Sequence, residues 1–173
     1  MQKLKYPIGK FEYGKTYSAE DNARHIREIS FFPTELATLV KQFGFELLEK
    51  SYRPGGWTAR QIIHHLADSH MNAYIRTKLT LTEEAPTIKP YNQDKWANLA
   101  DSKTVSVETS VKLIEAIHYR WVYLLKSLTE QDLQRTYIHP EYNREFKLDE
   151  LLALYAWHGK QHYAHLKIII ANQ

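Results

Sequence analysis

Apolar residues recur at steps of three and four along most of this chain, and the breaks in that rhythm mark out four long segments. The first carries Ile26, Ile29, Leu36, Val40 and Phe43. Ser18 stands where an N-cap belongs, with Asp21 three residues later. Pro33 falls inside the segment and is expected to bend or interrupt it. The second segment runs from about Thr58 to Leu81, where Thr58 and Gln61 have the spacing of a capping box. The third runs from about Ser106 to Leu128, with a seam of Val107, Val111, Ile114, His118, Trp121, Leu125 and Leu128. The fourth starts near Leu148 and reaches almost to the last residue. Its inner face reads Leu148, Leu151, Tyr155, His158, His162, His165 and Ile169.

Between these segments the pattern changes. Residues 1–17 hold Pro7, Gly9 and Gly14 among aromatics, which predicts an extended arm packed on the body. Gly55 and Gly56 allow a tight turn before the second segment. Residues 82–105 contain Pro86, Pro90, Asn92 and Asp94 and form a long connection that either crosses the molecule or carries function. "RTYIHPEYNREFKL" predicts a short hairpin or a loop. The fold class is therefore all-α: a four-helix bundle forming one domain over residues 1–173. The long second connection argues against simple up-down-up-down order.

Composition narrows the function. The 173 residues suffice for one core, and 12 tyrosines with 4 tryptophans exclude a disordered chain. The net charge of +3 comes with scattered lysines and arginines, so no nucleic-acid partner is expected. No run approaches the roughly 18 apolar residues of a membrane span. The first residues, "MQKLKYPIGKFEYGK", lack the apolar middle of a signal peptide, so the expected location is cytoplasmic. There is no cysteine, so any metal must be held by nitrogen and oxygen.

"WHGKQHYAH", residues 157–165, then becomes the informative stretch. Its three histidines occupy the inward face, within an arc of roughly 60° at 100° per residue. Imidazoles buried there need partners, and a metal ion supplies them. His158 and His162, four apart, are the stronger pair. His162 and His165 are the rival, and His158 is roughly 10 Å from His165 along the axis, too far to share one ion easily. "IIHHLADSH" offers His64, His65 or His70 as a third ligand. Periodicity favours His65 only slightly, and His64 shares a face with Asp68. His70 and His118 read as hydrogen-bonded core residues, His25 and His139 as surface or loop residues. Trp57, Trp121 and Trp157 read as core anchors rather than cofactor contacts. Glu115 and His118 make a single Glu-x-x-His unit, where a carboxylate-bridged di-iron bundle needs two.

"GGWTARQIIHHLADSHMNAYIRTKL", "HYRW" at 118–121, "YPIGKF" and the terminal "WHGKQHYAHL" together resemble the DinB-like superfamily, and within it the YfiT group of metal-dependent hydrolases. The resemblance covers nearly the whole chain. It implies a four-helix bundle holding one divalent ion per subunit, zinc or nickel, on three histidines. These fall on His65, His158 and His162, leaving His165 as a neighbour. It also implies a homodimer, and no DNA binding. Three neutral imidazoles leave coordination positions open, the arrangement of a catalytic site. The leading expectation is a hydrolase whose ion activates water on a small-molecule substrate. Asp68, one turn after His65, is placed to orient a ligand, and no residue is assigned as general base. The alternatives are a metal-dependent S-transferase using a thiol such as bacillithiol, and a non-catalytic bundle stabilised by its metal. In the last case His118 or His165 would close the site.

Overall fold

Side-chain caps start the long helices where the sequence places them. In the computed structural model, which describes residues 2–172, Ser18 and Asp21 cap each other's backbone amides ahead of a helix, and Thr58 and Gln61 do the same ahead of another. In chain order the elements are α1 (Gln2–Lys5), α2 (Ala19–Val40), α3 (Phe45–Leu48), α4 (Ala59–Thr82), α5 (Gln93–Trp96), α6 (Ala100–Thr104), α7 (Val107–Leu125), α8 (Glu130–Leu133), β1 (Thr136–His139), β2 (Arg144–Lys147) and α9 (Leu148–Ala171). The four long helices α2, α4, α7 and α9 are the four predicted segments. β1 and β2 form the antiparallel hairpin, with Tyr137 opposite Phe146.

Two expectations need correction. Pro33 does not interrupt α2, which runs through it. The amide that Pro33 lacks would have donated to the Ile29 carbonyl. That carbonyl accepts instead from Nδ1 of His118, at 2.7 Å. The N-terminal arm is not extended throughout, because Tyr6 N donates to Gln2 O and closes the one-turn helix α1. The arm does pack on the body. Trp157 Nε1 donates to Gly9 O at 3.2 Å, Gln161 Nε2 to Lys5 O at 2.8 Å, and Gly14 N to Glu150 Oε1 at 2.8 Å.

α2 packs against α7 and α9, and so does α4, which puts α2 diagonally across from α4. Two apolar clusters fill the interior. One holds Ile29, Ala73, Trp121, Leu125, Leu148 and Leu151, and the other Leu36, Ile62, Leu66, Ile114, Leu166 and Ile169. Following each helix from one cluster to the other gives its direction. α4 and α7 run one way, and α2 and α9 run the other. The connection from α4 to α7 must therefore return along the whole length of the bundle, which explains why it is long. His65, His70, His118, His158 and His162 belong to neither cluster and lie where the two meet, so the histidines form a polar layer across the bundle. Among the described residues, no helix is long and apolar enough to cross a membrane.

Trp121 anchors the first cluster. It is fully buried, and its Nε1 donates to Thr77 Oγ1 at 3.0 Å. Trp121→Ala should cost about 3–5 kcal/mol by leaving a cavity there. Chemical denaturation measures this, and a loss under about 1 kcal/mol would show that the cluster does not carry the fold.

Candidate metal centre

Three rings converge in the polar layer. Ligand atoms of His65, His158 and His162 all lie within 4.8 Å of one another. Nε2 of His65 is 3.1 Å from Nε2 of His158. Metal–nitrogen bonds of about 2.0–2.1 Å in a tetrahedral arrangement set neighbouring ligand nitrogens roughly 3.3 Å apart, so the donor set fits a divalent ion. The backbone explains the convergence. The Thr58 cap fixes the start of α4 and hence the register of His65, two turns in, while His158 and His162 sit one turn apart on the facing side of α9. Trp57, just before the cap, lies against His65 with ring centroids 4.6 Å apart.

Burial keeps these imidazoles uncharged. Desolvation holds His65, His158 and His162 well below the ordinary histidine range, and each has at least one neighbouring imidazole that pushes it the same way. Among the described residues, no carboxylate belongs to the cluster. Neutral nitrogens with free lone pairs are the form that binds a cation.

The other histidines have different partners. His64 turns to the opposite face, with Nδ1 2.8 Å from Ser110 Oγ and Nε2 3.2 Å from Val105 O. Asp68 shares that face. It makes no hydrogen bond to His65 and does not line the cavity beside the rings. Desolvation, then Asp101, pushes its carboxyl up to about 6. His165 lies beside the trio, with Nδ1 3.4 Å from Nδ1 of His162 and Nε2 3.1 Å from Lys5 O. His70 and His118 are hydrogen-bonded core residues, as their positions suggest. Glu115 is exposed, so its Glu-x-x-His unit does not converge.

Four assignments change. His25 and His139 are buried, not surface residues. The ring of Tyr17 from the arm covers His25, and the rings of Tyr142 and Phe146 cover His139. Trp57 and Trp157 are half-buried and line a cavity rather than anchoring the core. Their N–H groups instead hold loops, Trp57 through Asp94 and Trp157 through Gly9.

That cavity has a volume of about 620 Å³ and exposes His158 and His162 in its wall. The long connection contributes Pro90, Tyr91, Gln93 and Asp94, so it crosses the molecule and also builds the cavity. Four buried polar atoms here have no hydrogen-bond partner among the described residues: Arg76 Nε, Tyr91 Oη, His139 Nδ1 and Gln161 Oε1. Arg76 has no acidic partner among the described residues. The spacing held a signal for it. Arg76 follows His65 by 11 residues, about three turns, and so lies on the same face of α4.

The DinB superfamily model matches residues 28–166. The chain belongs to the DinB superfamily. It is 49% identical over 166 residues to a Bacillus mycoides (strain KBAB4) protein named "Putative metal-dependent hydrolase", covering 96% of this chain and 95% of that one. A protein of the same name from Bacillus cereus (strain 03BB102) matches with the same identity and coverage. Among solved structures, YfiT from Bacillus subtilis superposes with a TM-score of 0.95 at 41% identity, over 98% of this chain and 97% of that one. It is described as "a probable metal-dependent hydrolase with an unusual four-helix bundle topology". This DinB chain shares that bundle, with α4 and α7 parallel.

The desolvated histidines of this DinB protein make its stability depend on pH. Desolvation lowers His65, His70, His118, His158 and His162, with His118 at about 4. Below about pH 6.5 the unfolded chain therefore binds more protons than the folded one. Their contribution is complete above that pH and is lost on acidification toward 4. Asp68, raised to about 6, opposes this as a single group. Thermal melts of metal-free protein should be level from pH 8 to 7 and fall steeply below 6.5. A melting temperature unchanged down to pH 5 would contradict neutral burial of the rings.

Proposed function

We propose that this chain is a metal-dependent hydrolase of a small-molecule substrate, holding one divalent ion per subunit on His65, His158 and His162. One observation carries the reading: three neutral imidazoles converge, buried His65 with half-buried His158 and His162, and the latter two line a cavity of about 620 Å³. Imidazole suits zinc and nickel equally. Bound there, such an ion supplies Lewis acidity and lowers the pKa of water toward neutrality. The residues of the chain then bind and orient substrate. Arg76, Tyr91, His139 and Gln161 present unpaired polar atoms to pair with it. Trp57 and Trp157 close the walls against water.

A non-catalytic role for the ion is disfavoured by the partners of the nearest candidates for a fourth ligand. His118 is engaged with Ile29 and His70, and His165 with Lys5. A second catalytic reading, a thiol S-transferase, draws support from the cations of the cavity. Arg76, Arg53 and Lys5 line it and suit an anionic thiol such as bacillithiol. The lack of cysteine fits a reducing, cytoplasmic setting. A homodimer fits the apolar surface on the adjoining helices α2 and α7, where Phe31, Tyr119 and Tyr123 are 64%, 80% and 79% exposed.

Metal-loaded protein should turn over members of an ester and amide panel, and dialysis against a chelator should abolish turnover. His65→Ala, His158→Ala and His162→Ala should each lose metal and activity together; retention of full metal content by all three would overturn the site. The same assay with an electrophile panel separates the two catalytic readings. A hydrolase works without added thiol, and a transferase needs it. In the transferase case Arg76→Met should raise KM for the thiol roughly tenfold or more, the loss of a charged hydrogen bond.

A further inference from the structure

His70 on α4 and His118 on α7 are 1% and 2% exposed, and neither belongs to the converging trio. Every ring nitrogen of the two has a partner, and the partners form one line. His118 Nδ1 is 2.7 Å from Ile29 O. His118 Nε2 is 2.8 Å from His70 Nδ1. His70 Nε2 is 3.2 Å from His158 Nδ1. The line ends at His158 Nε2, one of the converging nitrogens.

A carbonyl oxygen only accepts, so the direction of every bond in the line is determined. His118 Nδ1 must donate to Ile29 O. A neutral imidazole has one N–H, so His118 Nε2 accepts, and His70 Nδ1 donates to it. His70 Nε2 then accepts, and His158 Nδ1 donates. Nε2 of His158 is left as a bare lone pair. The first link exists because Pro33 has no amide proton to offer the Ile29 carbonyl. Packing fixes the ring planes. Phe32 stacks on His70 with centroids 5.3 Å apart, and Tyr155 meets it edge-on at 5.2 Å.

We propose that Pro33, the Ile29 carbonyl, His118 and His70 form a one-way hydrogen-bond relay that fixes His158 as its Nδ1–H tautomer and aims its Nε2 at the metal. His70 and His118 are positioning residues, since neither reaches the ion. A metal-bound histidine commonly donates its second N–H directly to a carbonyl or carboxylate. Here the carbonyl is reached through two further imidazoles, from α9 across α4 and α7 to α2, so the relay ties one ligand to all four helices. The inference rests on the three-histidine site proposed above, and its test has a part independent of that site.

That part needs no variant. Long-range proton–nitrogen NMR of the metal-free, histidine-labelled protein should show His158, His70 and His118 all protonated at Nδ1. A proton on Nε2 of His158 would overturn the relay whether or not the protein binds metal. The second part measures zinc affinity by competition with a chromophoric chelator. His70→Leu should weaken binding roughly tenfold to a hundredfold, as loss of such a partner does elsewhere. His70→Gln, whose amide can both donate to His118 and accept from His158, should recover part of the loss. Because the links act in series, adding His118→Leu to His70→Leu should lower affinity no further. Unchanged affinity in a folded His70→Leu variant, or additive losses in the double variant, would overturn the proposal. Failure of the parent protein to bind zinc or nickel would instead refute the metal centre, while the tautomers still decide the relay.

Discussion

A buried imidazole must find a partner for each ring nitrogen or carry an unpaired polar atom into a dry interior. This bundle gathers five rings in one layer between two apolar clusters: His65, His70 and His118 are buried, and His158 and His162 are half-buried at the cavity wall. Among the described residues, no carboxylate enters the cluster of converging nitrogens, and desolvation keeps the rings neutral. The chain answers the requirement in two ways. His118 and His70 pass their hydrogen bonds to the Ile29 carbonyl. The trio brings one ligand atom from each ring within 4.8 Å of the others, a spacing that a divalent cation fits.

Topology turns that point into a site. Because α4 and α7 are parallel, the chain between them must return along the bundle, and it leaves Tyr91 and Asp94 in the cavity wall on the way. The N-terminal arm and the β1–β2 hairpin close other sides with Tyr13, Tyr142 and Phe146. A simple up-down bundle with short turns would expose the same histidines without a cavity. The unpaired Arg76 guanidinium is stable in such a place only because the cavity admits water or a polar ligand.

Much of this was legible in the sequence, for physical reasons. Helical periodicity marked the four long helices, and it put His158 and His162 on an inward face because they interrupt an apolar seam. The caps at Ser18 and Thr58 were readable because capping is local. The choice of His65 over its neighbour His64 was not a matter of local pattern. The family resemblance named His65, and the contacts of His64 with Ser110 and Val105 account for its separate role. What stayed hidden depended on distant parts of the chain. Pro33 looked like a helix breaker because its compensation comes from His118, 85 residues later. His25 and His139 looked exposed because the rings that cover them, from Tyr17 and from Tyr142 and Phe146, arrive through tertiary packing. Trp57 and Trp157 had the composition of core residues, and only the fold turns them toward a cavity.

X-ray absorption spectroscopy of the zinc- or nickel-loaded protein tests the central claim most directly, because it counts the imidazoles around the ion. The account predicts three histidine nitrogens at about 2.0–2.1 Å with the remaining positions filled by oxygen ligands. A first shell with fewer than three imidazoles, or one closed by a fourth protein ligand, would contradict it.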